Sequence, residues 1–378
     1  MLGSFEEEYA KIAERYRSGR DEDEQSKLKQ RLLGKPIVFF GVGLLSQVVY
    51  RNFAAHGIVP QCFCDSKKTG NEKETDLPII TPAQLQREYS DANIVISVAS
   101  LNGQKSIFHQ LIGLGFDKQQ IFTFDDVFKF YDSGMVEETR LTFQELQKHL
   151  GGYQWCYNLF SDSKSKKIVL ERINSYLFKD TLHYEKDNPA YFSREFFAPS
   201  VNEVFIDGGL FNGDTTEAFI KWVNGKYHAI YGFEIDEENV IAAHKNLSQY
   251  KNIHIISKGL WSKTDVQNAS LKFSTSSRIN KAGVDSVPVT SLDEYFSSMN
   301  NRELPTFIKM DIEGSEKQAL LGSKNIISSA RPKLAICAYH KPEDLYDLPR
   351  TILNIREDYK FALRQYSPYT WETVLYAY

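Results

Sequence analysis

The sequence predicts an α/β protein made of two doubly wound domains, each a mostly parallel sheet with helices on both faces. Three observations carry this. Short apolar runs alternate with amphipathic stretches along most of the 378 residues. Twice an apolar run ends on a glycine-bearing turn that opens a helix: Ile37–Phe40 before Gly41 and Gly43, and Val204–Ile206 before Asp207, Gly208, Gly209 and Gly213. The chain is also long enough for two domains of ordinary size, each with its own core. The expected organisation is a helical segment at 1–33, a first α/β domain at 34–130, a helical connector at 131–199 and a second α/β domain at 200–378.

Composition narrows the function classes. Charged residues at 25% and apolar residues at 42% are the balance of an ordinary soluble globular protein, so disorder is expected only near the N-terminus. A formal net charge of −4, with no clustered Lys and Arg, gives no electrostatic basis for a nucleic-acid partner. The N-terminus lacks the apolar core of a signal peptide, and no 18 apolar residues run together, so no membrane partner and a cytoplasmic location are expected. Cys62, Cys64, Cys156 and Cys337 have neither the density of a disulfide scaffold nor the spacing of a zinc site. They read as buried thiols.

Taken in order, Phe5, Tyr9, Ile12 and Tyr16 fall at helical spacing, and the acidic run Asp21–Glu24 reads as a break after that helix. A strand at Ile37–Phe40, a helix at Leu45–Ala55 and a strand at Gln61–Cys64 ending on Asp65 follow. The turn between the first two is G-x-G-x-x-S, a dinucleotide fingerprint weakened by Ser46 at the third glycine position. Leu77–Leu85 reads as a strand and then a helix opened by Thr81 and Pro82. A strand at Asn93–Ser100, a helix at Gln104–Leu114 and a strand at Gln120–Phe124 complete a Rossmann-like domain. Its glycine turn is either a site for a nucleotide, nucleotide sugar or dinucleotide, or a turn that serves only the fold.

Helices are expected at Glu138–Leu150 and Lys164–Phe178, separated by Gly151 and a polar run. The aromatic group Tyr184, Tyr191, Phe192, Phe196 and Phe197 either packs beside the next strand or lines a pocket. In the second domain, strands are expected at Val204–Ile206, Ala229–Phe233, Ile253–Ser257, Pro305–Met310 and Lys333–Ala338, with helices at Thr215–Val223, Glu237–Tyr250, Ser315–Ile327 and Asp344–Arg356. A strand-rich insert containing Leu271 and Phe273 precedes the fourth strand, and Lys360–Tyr366 with Thr373–Tyr378 reads as a closing hairpin.

Ligands of open α/β sheets bind beyond the carboxyl ends of the strands, where strand order switches. Asp207, Glu234, Lys258–Trp261, Asp311 and His340 all fall at such ends and are expected to converge. Glu234, at the end of the second strand, sits where an acidic residue takes ribose hydroxyls in a nucleotide-binding βαβ unit.

The strings D-G-G-x-x-x-G-D-T from Asp207, F-E-x-D from Phe233, I-K-M-D-I-E-G-S-E from Ile308, A-Y-H-K-P-E-D-L-Y from Ala338, and the terminal L-R-Q-Y-S and E-T-V-L-Y-A resemble the FkbM family of S-adenosylmethionine-dependent methyltransferases over about Tyr191–Tyr378. The resemblance implies a class I methyltransferase fold of five parallel strands plus a terminal antiparallel pair, with S-adenosyl-L-methionine as cofactor. It implies O-methylation of a hydroxyl on a sugar, glycan or related metabolite, hence a small-molecule or carbohydrate acceptor; homo-oligomerisation stays open.

The implied cofactor residues are Asp207, Gly208, Gly209, Gly213, Asp214, Glu234, Gly259, Leu260, Trp261 and Asp311. Asp207 would hold the methionine portion, Glu234 both ribose hydroxyls, and Gly259–Trp261 would flank the adenine. Leu210 departs from the family, where a small residue follows the second glycine, and predicts a shifted loop or a narrowed pocket. The hydroxyl must lose a proton, so a base is required. His340, read as a neutral imidazole, is the first candidate, with Asp311 and Glu313 as alternatives. No metal is expected; in the rival account Asp311 and Glu313 are metal ligands.

Overall fold

Apolar runs of four and five residues with no solvent-facing side become the central strands of two separate sheets, as buried parallel strands should. The computed structural model describes residues 2–98, 100–128, 141–185, 190–270, 277–279, 283–299 and 304–378. They fall into two units: Ala10–Arg140 with Leu177–Asp180, and Met1–Tyr9, Leu141–Tyr176 and Thr181–Tyr378.

The smaller unit carries β1 (Ile37–Phe40), β2 (Cys62–Cys64), β3 (Gly70–Asn71), β4 (Pro78–Ile80), β5 (Asn93–Ile96) and β6 (Ile121–Phe122) in the order β3-β4-β2-β1-β5-β6. All pairs are parallel except β3 with β4. Thr81 caps the helix Pro82–Glu88 through a reciprocal bond with Gln84. Near the N-terminus the helices Phe5–Arg17 and Arg20–Leu33 break at Gly19, which has φ 65°, and not at Asp21–Glu24. Those acids instead open the second helix, where its dipole favours negative charge.

The glycine turn of this unit is self-satisfied. Gly41 has φ +117°, and a Cβ there would lie 2.5 Å from Val98. Ser46 Oγ accepts from the Gly43 amide at 2.8 Å and donates to its carbonyl at 2.7 Å. The residue that replaces the third glycine thus takes up an amide that a phosphate would otherwise meet.

The larger unit is built on seven strands in the order β16-β17-β15-β14-β7-β8-β9: β7 (Val204–Gly208), β8 (Ala229–Phe233), β9 (Ile253–Ile256), β14 (Phe307–Met310), β15 (Lys333–Cys337), β16 (Phe361–Gln365) and β17 (Thr373–Ala377). Five of these are parallel, and β16 and β17 close the edge antiparallel. Because β7 lies between β8 and β14, strand order reverses at β7 and opens a crevice at its carboxyl end. The insert forms its own sheet from β10 (Gly259–Leu260), β11 (Asp265–Ser270), β12 (Arg278–Ile279) and β13 (Asp285–Thr290). Leu271 and Phe273 lie outside the described residues.

Three helix expectations change. Gly151 and Gly152 do not end a helix but sit inside Phe143–Leu159, where a Cβ on Gly152 would strike the Tyr346 ring at 2.5 Å. That helix and most of Ser163–Phe178 group with the larger unit and are not a separate connector. Ser165 Oγ accepts from the Leu363 amide at 2.8 Å, and Arg364 pairs with Asp162 at 3.0 Å, which ties them to β16. The expected helix Ser315–Ile327 is two, Glu316–Leu321 and Lys324–Ala330, because the chain bends at Gly322 against the Trp261 carbonyl. No described helix is long and apolar enough to cross a membrane.

Candidate active site

A buried charge pair fixes the end of the central strand. Lys309 on β14 is 2% exposed, and its Nζ lies 3.0 Å from Asp207 Oδ1 on β7, itself fully buried. The register that sets Lys309 beside Asp207 brings them together. Thr216 donates to the other Asp207 oxygen at 2.7 Å, and Lys309 Nζ also donates to the carbonyls of Gly208 at 3.1 Å and Gly209 at 2.8 Å. Burial pushes the Asp207 carboxyl above its usual range against the pull of Lys309. Burial pulls Lys309 down, but Asp207 and Asp311 outweigh it and hold the ammonium charged.

The loop after β7 then follows from sterics. Gly209 has φ +75°, and a Cβ would lie 1.9 Å from the Asp311 carbonyl, so only glycine fits. Leu210 turns away from the crevice and is fully buried with Ala243 and Leu247, over the space left by Gly232. It does not line the cavity, so the expected narrowing does not occur. Glu234, at the end of β8, accepts from the Phe211 amide through Oε2 at 2.8 Å and from the Ile235 and Asp236 amides through Oε1 at 2.8 and 2.9 Å. A carboxylate has about four acceptor sites. Three are used, leaving room on Oε2 for one ligand hydroxyl and not the expected two.

These elements enclose a cavity of about 620 Å³. Of the sequence-predicted residues, Gly209, Asp214, Glu234, Gly259, Leu260, Asp311 and Glu313 line it. Asp207, Gly208, Gly213, Trp261 and His340 stand behind the wall. Asp207 is consumed by Lys309 and Thr216, so it cannot touch a ligand directly. Gly208 and Gly213 leave room for Leu260 and Leu247 respectively, and Trp261 packs on the insert core around Val287 and Val289. The aromatic group divides: Phe192 and Phe197 join the core with Phe205, Phe219 and Phe307, whereas Tyr191 reaches the cavity.

The far end of the cavity is acidic and aromatic. Asp311 accepts from the Tyr191 hydroxyl at 2.9 Å and from the Tyr339 hydroxyl at 2.9 Å. Burial alone would raise its pKa, but Lys309, His340 and the two phenols hold it below the carboxylate range. His340 lies behind Asp311, with Nε2 at 3.5 Å from Asp311 and 3.7 Å from Glu313, and Nδ1 at 3.1 Å from Glu316. Burial would lower its pKa, yet Glu316, Asp311 and Glu313 together push it up to about 10. The ring is therefore an imidazolium at neutral pH, not the neutral base that its free pKa suggested.

Lys309, Glu316, Tyr339 and Glu372 were not singled out as site residues from sequence, and Tyr191 only as one of an aromatic group that either packs or lines a pocket. The first two lie within the I-K-M-D-I-E-G-S-E string, where the register of β14 beside β7 was the missing information. Glu372, just before β17, lines the cavity with φ 64°; desolvation and the charge of Asp311 raise its pKa.

Residues 207–362 match the Methyltransferase FkbM domain family. The crystal structure of Methyltransferase FkbM from Methylobacillus flagellatus KT superimposes with TM-score 0.62 and 23% identity, covering 91% of this chain and 90% of that one. That likeness shows a shared fold. Ribosomal RNA small subunit methyltransferase H of Kosmotoga olearia is 35% identical over 81 residues, 21% of this chain. The match spans only 23% of that relative's length.

The buried pair makes a stability prediction. Lys309→Met should leave Asp207 uncompensated and cost about 3–5 kcal/mol. The double variant Asp207→Asn with Lys309→Met should cost less than the single change, as read from urea unfolding.

Proposed function

With the match of residues 207–362 to the FkbM methyltransferase domain family as its premise, we propose that this chain is an S-adenosylmethionine-dependent O-methyltransferase acting on a hydroxyl of a sugar, glycan or related metabolite. The observation that carries the reading is the cavity at the strand-order switch, with a glycine loop on one wall and an acidic, tyrosine-rich wall beyond it. The residues fit the donor: the cavity has the size of a ligand pocket, Gly209 brings bare backbone to its edge, and Glu234 keeps one acceptor position. When bound, the donor supplies an electrophilic methyl group on a sulfonium.

Each wall then has a task. Glu234 Oε2 accepts one ribose hydroxyl, and Gly259 and Leu260 give an apolar flank for the base. Lys309 acts indirectly, by holding the carbonyls of Gly208 and Gly209 so that the loop is already formed when ligand arrives. Alignment of the reacting groups is the largest service such a site can provide. Asp311, held by two phenols, orients the acceptor hydroxyl, and Glu313 stays with it beside the His340 imidazolium. The proton passes to Glu372, whose carboxylate lines the same cavity and makes no hydrogen bond to another side chain among the described residues. Tyr191, Tyr339 and Tyr366 offer the faces and hydroxyls against which sugar rings pack.

Two outcomes test this. Glu234→Gln should weaken S-adenosylhomocysteine binding by about 1–3 kcal/mol in calorimetry, from the lost charge-assisted bond and the disturbed Phe211 turn. Transfer of labelled methyl from S-adenosylmethionine should be found within a panel of sugars, nucleotide sugars and non-sugar alcohols. On the acceptor so identified, Glu372→Gln should slow turnover roughly 10²-fold or more with donor affinity intact. An acceptor that is not hydroxylated would contradict the O-methyl assignment.

A further inference from the structure

The cluster behind Asp311 has unused binding capacity. Ligating atoms of Asp311, Glu316 and His340 all lie within 4.8 Å of one another. The His340 side chain is 8% exposed and that of Glu316 1%. Seven buried side-chain polar atoms among the described residues lack a hydrogen-bond partner, and three of them are here: both ring nitrogens of His340 and Glu316 Oε2. The carboxylate oxygens near the ring are thus close in distance but not aligned as acceptors. Concentrated in one place, such atoms mark a missing partner.

We propose that His340, Asp311 and Glu316 bind one divalent transition-metal ion of the Mn²⁺ or Zn²⁺ type, with Glu313 at the rim. Spacing supports it. Bonds of about 2.0–2.2 Å to one ion place its ligand atoms roughly 3.0–3.5 Å apart; Nε2 of the ring stands 3.5 Å from Asp311, and one ligating atom from each of the three residues already lies within 4.8 Å of the others. The ring offers one nitrogen to the ion, releasing that nitrogen's proton to solvent, and the other nitrogen stays protonated. An imidazole among carboxylates selects a transition ion over Mg²⁺ or Ca²⁺, which prefer all-oxygen shells. Because Asp311 also lines the cavity, the ion lies under the acceptor end, where its charge lowers the pKa of a nearby hydroxyl. The site stands on its own residues and does not depend on the identity of the methyl donor.

The test uses the full chain, stripped of metal by a chelator and dialysed, with Mn²⁺ as the probe and no donor present. Free Mn²⁺ followed by electron paramagnetic resonance should show one ion bound per chain. Glu316→Gln and His340→Gln should each weaken that binding at least 10-fold while circular dichroism stays unchanged. Absence of binding up to millimolar Mn²⁺, or wild-type affinity in both folded variants, would overturn the proposal. Should the variants not fold, anomalous diffraction from a Mn²⁺-soaked wild-type crystal decides: a peak between His340 and Asp311 or Glu316 upholds the site, and its absence there rejects it.

Discussion

The ion pair between Lys309 and Asp207 is the constraint on which the larger unit's active end depends. Burying two charges is unfavourable unless each is fully paired, and the pair achieves this by recruiting the two loop carbonyls and Thr216. The same contacts therefore neutralise the charges and fix the glycine loop. Asp311, two residues beyond Lys309, is placed by the same strand, and its backbone carbonyl presses on Gly209 so closely that no side chain can stand there. A single register between β7 and β14 thereby sets both the glycine loop and the Asp311 end of the cavity at once.

Much of this arrangement is legible in the sequence because it depends on local pattern. Strand ends at Glu234 and Asp311 follow from short apolar runs that stop at an acid, and Gly209 follows from the turn. What pattern cannot show is which strand-end group faces the ligand and which faces a neighbouring strand. Asp207 looks like a ligand from its position, yet the lysine opposite claims it. Leu210 looks like an obstruction until the gap above Gly232 is seen to receive it. In the smaller unit the glycine turn is equally visible, but Ser46 bonds back onto Gly43 only once the chain is folded.

His340 illustrates a different limit. Its place at the end of β15 is readable, but its protonation is a property of the whole cluster. Glu316 comes from a helix start, Glu313 from a turn with φ 55°, and Asp311 from a strand end, and together they reverse the effect that burial alone would have. The carboxylate that lines the cavity from the closing hairpin, Glu372, comes from a region whose sequence reads simply as edge strands. The acidic wall of the cavity is therefore assembled from segments far apart in the chain.

On the proposed reading the cavity beside Gly209 and Glu234 holds the methyl donor with its reactive end toward Asp311. A crystal structure of the chain with S-adenosylhomocysteine tests this most directly. One ligand per chain is expected, with a ribose hydroxyl on Glu234 Oε2 and the sulfur facing the Asp311 and Tyr191 side of the cavity. Ligand density at the Gly41 turn of the smaller unit, or an inverted ligand with its ribose away from Glu234, would contradict it.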